Sequence, residues 1–525
     1  MLSVNIKNWD VEDQNFWENT GKKIAQKNLW ISIPCLLLAF SVWIMWSIII
    51  VQMKNLGFMF HSDPAINTSL LYTLPAIAGL AGATFRIPNS FFIAVGGGRN
   101  VVFLTTALLL IPTVGVGIAL QNPNTSYITF AIFAALSGFG GGNFASSMSN
   151  ISFFFPKSQQ GTALGLNAGL GNLGVSIMQV LLPFTMGFAL FGAFGGKGLP
   201  LPQAIGNKAQ FTLVYIQNCG FTWVPFLVLF SVLAFFFMNN LKTASPGMRS
   251  TLSSFGKVLF LLLLGGMATF VGLLLLLKFK WNMWVVLPIT ILLTVLLMKY
   301  FSPGALKENL NKQFGIFKQK HNWVMTILYV MTFGSFIGYS AAFPKLIQDI
   351  FGVLPNGSLN PNAPNPFAYA WLGPLVGSLV RPIGGWLSDK IESGSRVTHW
   401  TTVFMIMAAL GVAVCIVKAK GAPMPETYFL PFLILFLILF ITTGIGNGST
   451  FRSIPYIFEK HQAGPVLGWT SAVAAYGAFI IPNVFGEQIK QGHPEVALYG
   501  FAIYYFICLC LNWWYYDRKN AFIRC

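Results

Sequence analysis

Long apolar runs separated by short polar stretches dominate the whole chain. A membrane-spanning α-helix needs about 20 consecutive, mostly apolar residues. Fourteen stretches meet this requirement when hydropathy is averaged over windows of about 19 residues. The predicted spans are 29–53, 68–94, 100–120, 126–150, 161–187, 215–238, 255–279, 281–301, 322–346, 366–388, 398–418, 428–449, 463–486 and 495–517. The pattern therefore predicts an all-α membrane protein, whose backbone hydrogen bonds close within each helix.

The spans form two similar halves, because several sequence patterns occur twice in matching order. A single arginine lies inside an apolar span at Arg86 and again at Arg381. The segment 155–165 aligns with 458–468, and a glycine-rich span end precedes each of them. Repeats of this kind are typical of the major facilitator fold. The sequence thus predicts two six-helix halves with an inserted two-helix hairpin between them.

These boundaries divide the chain into five predicted segments. They are an N-terminal tail (1–28), an N-terminal six-helix bundle (29–240), a linker with the extra hairpin (241–321), a C-terminal six-helix bundle (322–517) and a C-terminal tail (518–525). The hairpin spans are rich in leucine and hold no charge within their apolar runs. We therefore interpret the hairpin as peripheral to any pathway through the bundles.

Composition and charge support the membrane interpretation and indicate an orientation. The chain is 55% hydrophobic and 9% charged, whereas soluble domains carry about 25% charged residues. The net charge of +18 also occurs in nucleic-acid-binding proteins, but here lysine and arginine concentrate in the loops of one predicted side, as the positive-inside rule requires. We expect no nucleic-acid partner, cytoplasmic N- and C-termini, and a place in the cytoplasmic (inner) membrane.

Several motifs suggest a metal, dinucleotide or catalytic site, but their sequence context does not support these functions. The six cysteines are scattered, and no spacing resembles a metal site. The segment 169–174 matches G-x-G-x-x-G, but it is apolar and follows no predicted strand, so it does not indicate a dinucleotide site. Gly161, Gly165 and Gly169 instead share one helical face, which favours close helix packing. A membrane enzyme or haem carrier needs histidine pairs or a nucleophile with its base inside the spans, and the predicted spans offer neither. We expect no catalytic residue, no cofactor and no metal.

Arg86 and Arg381 carry the strongest functional signal in the sequence. A cation inside the bilayer costs about 2.5–3.5 kcal/mol on insertion scales, so each arginine needs a partner. None of the 14 carboxylates lies in the middle of a span, and the nearest, Asp389, is at a span end. Helix C-terminal carbonyls are one possible partner. The planar guanidinium fork suits a small oxyanion, however, and we predict a bound anion.

Three further polar features accompany the arginines. Asn172 is an amide within a span, and its partner is either a substrate or a neighbouring helix. Arg452 lies at a span end, where reaching out to water or contacting a gate is favoured over binding a substrate. The loop 384–396 resembles the cytoplasmic gate loop of major facilitators, and its first-half counterpart at 92–100 lacks the acidic residue.

Four segments closely resemble the NarK-like nitrate/nitrite porters of the major facilitator superfamily. They are 28–40, 143–157, 161–174 and 329–338, within a resemblance that extends over 5–240 and 322–517. It implies a central site between the halves, where Arg86 and Arg381 clamp the anion. It further implies that Asn172 and Tyr329 donate hydrogen bonds to the anion. The walls of the site would be Phe40, Phe144 and Phe333.

The same resemblance implies nitrate and nitrite as substrates. We also expect the lipid bilayer as surroundings and a monomer as the working state. Two buried cations without buried acids favour nitrate/nitrite exchange by rocker-switch alternating access, because an empty site holding two like charges should resist closure. Proton-coupled nitrate symport is an alternative, since the family contains both types. Transport of another small anion is a second alternative.

Overall fold

The computed structural model describes residues 5–204, 209–352, 354–356, 358 and 360–525. The chain divides into two compact units, which are described separately. The first unit comprises Met1–Trp9, Lys23–Asn150 and Gly174–Gln313, and the second comprises Asp10–Lys22, Ile151–Leu173 and Phe314–Cys525. The segment boundaries expected from the sequence stay a prediction.

Helices account for nearly all of the regular structure. In chain order they are α1 (Gln14–Phe16), α2 (Lys22–Ile44), α3 (Trp46–Asn55), α4 (Pro64–Asn89), α5 (Phe92–Gly96), α6 (Gly98–Ala107), α7 (Leu110–Ala119), α8 (Tyr127–Phe154), α9 (Lys157–Thr185), α10 (Asn218–Phe221), α11 (Val224–Phe237), α12 (Thr251–Leu273), α13 (Met283–Phe301), α14 (Gly304–Gln313), α15 (Lys320–Tyr329), α16 (Ser335–Phe351), α17 (Pro366–Tyr369), α18 (Leu372–Leu379), α19 (Arg381–Lys390), α20 (Gly394–Gly421), α21 (Phe429–Ile457), α22 (Lys460–Ala475), α23 (Gly477–Lys490) and α24 (Pro494–Asn512). The short strands are β1 (Asn5–Ile6), β2 (Leu199–Pro200), β3 (Leu213–Val214) and β4 (Asn240–Leu241).

The predicted all-α membrane architecture is confirmed. In the described part of the chain, 12 helical segments are long and apolar enough to cross a membrane, and they match twelve of the fourteen predicted spans. The other two predicted spans are those that contain the arginines. The span at 68–94 forms α4 and the start of α5, and the span at 366–388 forms α17, α18 and α19.

The N-terminal segment is fastened to the end of α11 within the first unit. Strand β1 pairs with β4 in parallel, with Asn5 opposite Asn240. The amide of Asn28, which is fully buried, donates to Asn239 Oδ1 at 3.1 Å and accepts from the Asn239 backbone N–H at 2.9 Å. These bonds satisfy the polar groups at this helix end, which would be costly to bury unpaired.

The hairpin α12–α13 packs directly on α4, the helix that carries Arg86. A Cβ at Gly265 of α12 would lie 3.1 Å from Pro88 Cγ and 3.4 Å from Phe85 Cδ1. About two turns further along α12, a Cβ at Gly272 would lie 2.6 Å from Thr290 Oγ1 of α13. Glycines at these contacts let the three helices approach closely, as small residues do in membranes.

In the second unit, the first half of α9 packs against α18 and α19 through its glycine face. A Cβ at Gly165 would lie 2.9 Å from the backbone O of Arg381, and one at Gly169 would lie 2.6 Å from that of Ser378. The close packing expected from the glycine spacing is therefore present. It brings α9 against the backbone of the second arginine segment.

Candidate functional site

Arg86 lies in an aromatic enclosure within the first unit. Its side chain is fully buried, and its Nε donates a hydrogen bond to the backbone O of Gly141 on α8. Its Cζ is 4.8 Å from the ring centroid of Phe144, 5.2 Å from that of Trp43 and 5.7 Å from that of Phe40. Aromatic faces attract a cation, most strongly where water is excluded. Helices α2, α4 and α8 thus hold this guanidinium together.

Small residues allow these three helices to meet around Arg86. A Cβ at Gly82 of α4 would overlap the indole of Trp43, and a Cβ at Gly141 would lie 2.6 Å from the Cα of Gly82. The indole N–H of Trp43 donates to the backbone O of Ala78 at 2.7 Å. The indole is therefore fixed by a hydrogen bond at its polar end and by close packing at its face.

Arg381 lies in a second aromatic enclosure, within the second unit. Its side chain is fully buried, and its Cζ is 4.0 Å from the ring centroid of Phe336 and 5.5 Å from that of Phe333. Within the described residues, none of its three guanidinium nitrogens has a hydrogen-bond acceptor, and Arg381 forms no ion pair. A buried cation in this condition is strongly disfavoured unless another acceptor reaches it.

Tyr329 lies beside the ring of Phe333 at the edge of this enclosure. The two rings are stacked, with centroids 5.6 Å apart and planes inclined by 14°, and the Tyr329 ring is also 5.4 Å from that of Phe451. The widened helical turn Val330–Gly334 follows Tyr329 directly. Turns of this π type are frequent at functional sites, because they redirect the side chains on either side.

Asn172 lies on α9 in the same unit, three residues after the glycine face ends at Gly169. It is fully buried, and its Nδ2 donates to the backbone O of Ala168 at 2.7 Å. An amide nitrogen has two N–H donors, so this bond leaves one of them. On α18, Ser378 is also fully buried, and its Oγ has no hydrogen-bond partner in the described part of the chain. Ser378 precedes Arg381 by one helical turn.

The seven predicted site residues thus fall into two groups. In the first unit, Arg86 contacts the predicted residues Phe40 and Phe144. In the second unit, Arg381 contacts the predicted residue Phe333. Sequence reasoning missed Trp43, Phe336 and Ser378. A signal for the two aromatic residues was present, because Phe40 and Trp43 have the same spacing in the first predicted span as Phe333 and Phe336 have in the ninth.

The predicted gate loop is tied to α9. Asp389 Oδ2 accepts hydrogen bonds from the backbone N and from Oγ1 of Thr162, both at 2.8 Å. A Cβ at Gly161 would lie 2.6 Å from Asp389 Oδ1 and 2.9 Å from Arg452 Cβ. Arg452 is 3% exposed and stacks on Tyr456 with its Cζ 3.7 Å from the ring. Because Arg452 is buried, it does not reach out to water. Its burial favours the gate contact.

The first-half counterpart of this loop, at 92–100, has no acidic residue equivalent to Asp389. Its arginine makes a different interaction. Arg99 donates from Nε to the backbone O of Phe235 at 2.5 Å, and its Cζ lies 4.1 Å from the Phe235 ring. Gly97 has a φ of +82°, a backbone conformation that residues other than glycine rarely adopt. A cation is therefore held here by a carbonyl and a ring.

Comparisons with known proteins place the chain among membrane transporters. No family model matches it. The probable nitrate/nitrite antiporter NarK2 of Thermus thermophilus is 36% identical over 518 residues, which are 98% of this chain and 97% of that protein. The nitrate/nitrite transporter NarU of Escherichia coli is 34% identical over 537 residues, which cover 98% and 96%.

Solved structures agree on the fold. The major facilitator proton:xylose symporter XylE superposes with a TM-score of 0.62 at 12% identity, over 94% of this chain and 96% of the symporter. The organic anion transporter MFSD10 from human gives a TM-score of 0.56 at 10% identity, over 94% and 99%. At such low identity the likeness shows the fold alone, and the predicted major facilitator fold is confirmed.

Proposed function

The chain belongs to the NarK/NarU family of nitrate/nitrite transporters, and we propose that it exchanges nitrate for nitrite across the cytoplasmic membrane. The proposed substrates follow from the names of relatives that align over nearly the whole chain. The proposed roles of individual side chains follow from the two aromatic enclosures and from the chemistry of the arginines within them.

The observation that carries the proposal is the environment of Arg381. The described residues offer its buried guanidinium two ring faces but no carboxylate and no carbonyl acceptor. Ring faces attract a cation without accepting its in-plane N–H groups. Those N–H groups point outward in a planar fork that matches two oxygens of one small planar anion. Nitrate and nitrite both present two oxygens in this way.

Arg86 is proposed as the second arginine that binds the anion. Its Nε bond to Gly141 fixes the guanidinium while the rings of Phe40 and Phe144 cover it. A side chain held in this way loses little conformational entropy when an anion binds. We propose that Tyr329 and Asn172 add hydrogen bonds, and that Phe40, Phe144 and Phe333 exclude water from the anion.

Exchange is the coupling mode that the electrostatics favour. The free energy of burying an uncompensated guanidinium opposes any closed state that lacks an anion. A bound anion supplies the missing charge and hydrogen-bond acceptors, so closure and reorientation should proceed only when nitrate or nitrite is present. Influx of one anion is then linked to efflux of the other.

A proton-coupled mechanism would need a titratable group in the translocation path. In the described residues, the most deeply buried carboxylate is Glu495, which pairs with Lys420 at 3.5 Å and with His493 at 3.1 Å near helix ends. His399 and His461 likewise lie beside carboxylates, Asp517 and Glu459. Symport is therefore the less favoured alternative.

Placement in the membrane completes the proposal. We propose that both termini are cytoplasmic, that the turn of the α12–α13 hairpin faces outward, and that the protein works as a monomer. The support for this orientation is the bias of lysine and arginine toward one set of loops, which sets orientation in membranes.

The test is counterflow in proteoliposomes that contain the purified protein. Vesicles loaded with nitrite should take up labelled nitrate rapidly without a pH gradient, and empty vesicles should take up little. Nitrate uptake that requires a pH gradient and ignores internal nitrite would overturn exchange. External formate and phosphate at equal concentration should compete weakly, and strong competition by either would assign the site to another anion.

A further inference from the structure

We propose that the α12–α13 hairpin carries a binding site for the phosphate headgroup of an anionic phospholipid, separate from the transport site. A cavity of about 350 Å³ lies at the end of the hairpin where α12 begins and α13 passes into α14. Arg249, Gly256 and Lys257 line it from the α12 side, and Pro303 and Ala305 line it from the α14 side. The whole cavity belongs to the first unit.

The charge around this cavity suits an anion. Arg249 and Lys257 both line it. Lys257 donates from Nζ to the backbone O of Gly247 at 2.7 Å, and an ammonium group has two further donors. Within 241–313 the sequence has one carboxylate, Glu308, among several lysines. Cations at a membrane surface attract anionic headgroups, and basic pockets between spans bind them specifically.

Backbone groups at two helix starts add to this charge. The cavity lies where α12, capped by Ser250 through its bond from the Ser253 N–H, and α14 both begin. The first N–H groups of a helix have no partner within it and carry partial positive charge. The Ala305 N–H is such a group, and Ala305 lines the cavity.

The surface next to the cavity indicates a lipid and not a free phosphate. Gly256, which lines the cavity, lies on the same face of α12 as Leu252, Leu259 and Leu263, and these three leucines are exposed. Met267 continues this face and is exposed as well. A lipid whose phosphate occupies the cavity can lay an acyl chain along this face. A free phosphate has no acyl chain that could contact this face.

A consequence concerns the function of the hairpin. Helix α12 packs on α4 at Phe85 and Pro88, the residues on either side of Arg86 and Ile87. A lipid bound at the start of α12 therefore stabilises the hairpin that supports the arginine helix. This inference does not depend on which anion is transported.

The decisive experiment compares two double variants with equal loss of charge. Arg249→Gln/Lys257→Gln removes the cavity cations, and Lys278→Gln/Lys280→Gln removes two exposed lysines at the opposite end of the hairpin. Purified full-length proteins are titrated with phosphatidylglycerol or phosphatidylcholine in detergent, and bound lipid is counted by native mass spectrometry. Each cavity cation removed should weaken phosphatidylglycerol retention roughly fivefold. The control variant should retain the lipid as the parent does.

A second variant guards against misfolding of the first. A Cβ at Gly256 meets nothing within 4 Å, so Gly256→Leu places a bulky side chain in the cavity wall without changing charge. It should lose phosphatidylglycerol retention while its melting temperature in phosphatidylcholine does not fall. Equal retention by the parent and Gly256→Leu would overturn the proposal. The proposal would also be overturned if inorganic phosphate alone raised the melting temperature of the parent as much as phosphatidylglycerol does. The site would then bind a free anion. Nitrate counterflow is measured separately, so failure of either proposal leaves the other intact.

Discussion

At the residue scale, the two arginines combine a buried charge with a fixed orientation. Ring faces cover each guanidinium from the side, with the closest ring 4.8 Å from Arg86 and 4.0 Å from Arg381. At Arg381, these ring contacts leave the in-plane N–H donors for a ligand. A lysine ammonium has no planar fork and no flat face to stack, so it cannot reproduce this arrangement.

We therefore expect Arg86→Lys and Arg381→Lys each to lower nitrate transport by at least about 10-fold, the loss expected when a charge-assisted hydrogen bond is removed. Initial uptake rates in proteoliposomes measure the effect. Arg524→Lys is the matched control, because Arg524 is exposed near the C-terminus, and it should transport normally. Near-normal uptake by Arg86→Lys would remove Arg86 from the proposed site.

Phe336 provides a second test at this scale. Its ring is the closest to Arg381, and we expect Phe336→Leu to raise the KM for nitrate by about 30-fold, because a desolvated cation–π contact contributes about 2 kcal/mol. The control is Phe343→Leu on the same helix, a buried ring that stacks on Phe436 at 4.5 Å. Both variants lose similar ring area, so equal effects on KM would indicate a packing role alone.

At the element scale, the close approach of helices depends on glycine faces. The face of α9 lets this helix lie against the backbone of α18 and α19, and the glycines of α12 do the same against α4. In a bilayer, lipid is as apolar as a protein core, so tight packing replaces the hydrophobic effect as the force between helices. Substitution at these contacts should therefore affect both stability and transport.

Gly169→Ala tests this dependence directly. Its Cβ would lie 2.6 Å from the backbone O of Ser378, and overpacking of this kind costs about 1–3 kcal/mol. We expect a lower melting temperature together with slower nitrate uptake, since Arg381 follows Ser378 by one turn. Gly486→Ala on α23 is the control, because a Cβ there meets nothing within 4 Å. It should be neutral or slightly stabilising. Equal melting temperatures for the two variants would contradict the packing account.

At the scale of the whole molecule, the even number of predicted spans predicts that both termini lie on one side of the membrane. We propose that the hairpin crosses out and back. Its turn carries Lys278, which is exposed, and α14 carries Lys312, which is also exposed. These two positions belong to the same unit and are predicted to face opposite sides of the membrane.

Cysteine labelling tests this orientation. In a Cys510→Ser background, which removes the one exposed cysteine among the described residues, a membrane-impermeant maleimide should label Lys278→Cys in intact cells. Lys312→Cys should be labelled only after the membrane is permeabilised. The reverse pattern would show that the protein is inserted with its termini outside.

The positions of the spans and the resemblance to a family can be read from the sequence without the structure. Hydropathy is a local property, and twelve of the fourteen predicted spans appear as long apolar helices in the described residues. The remaining two contain Arg86 and Arg381, so the same local reading identified the residues of greatest interest. Glycine spacing on α9 also predicted a close contact, because steric access depends on the residue type at each position.

Which side chains surround each arginine depends on tertiary packing. The matching spacing of Phe40 and Trp43 with Phe333 and Phe336 does not show that these rings face the arginines, because lipid-facing and core-facing positions of a membrane helix are equally apolar. The burial of Arg452 and the packing of α12 on α4 likewise depend on which faces of distant helices meet. That choice is made by the fit of side chains between helices, which no periodicity along one helix contains.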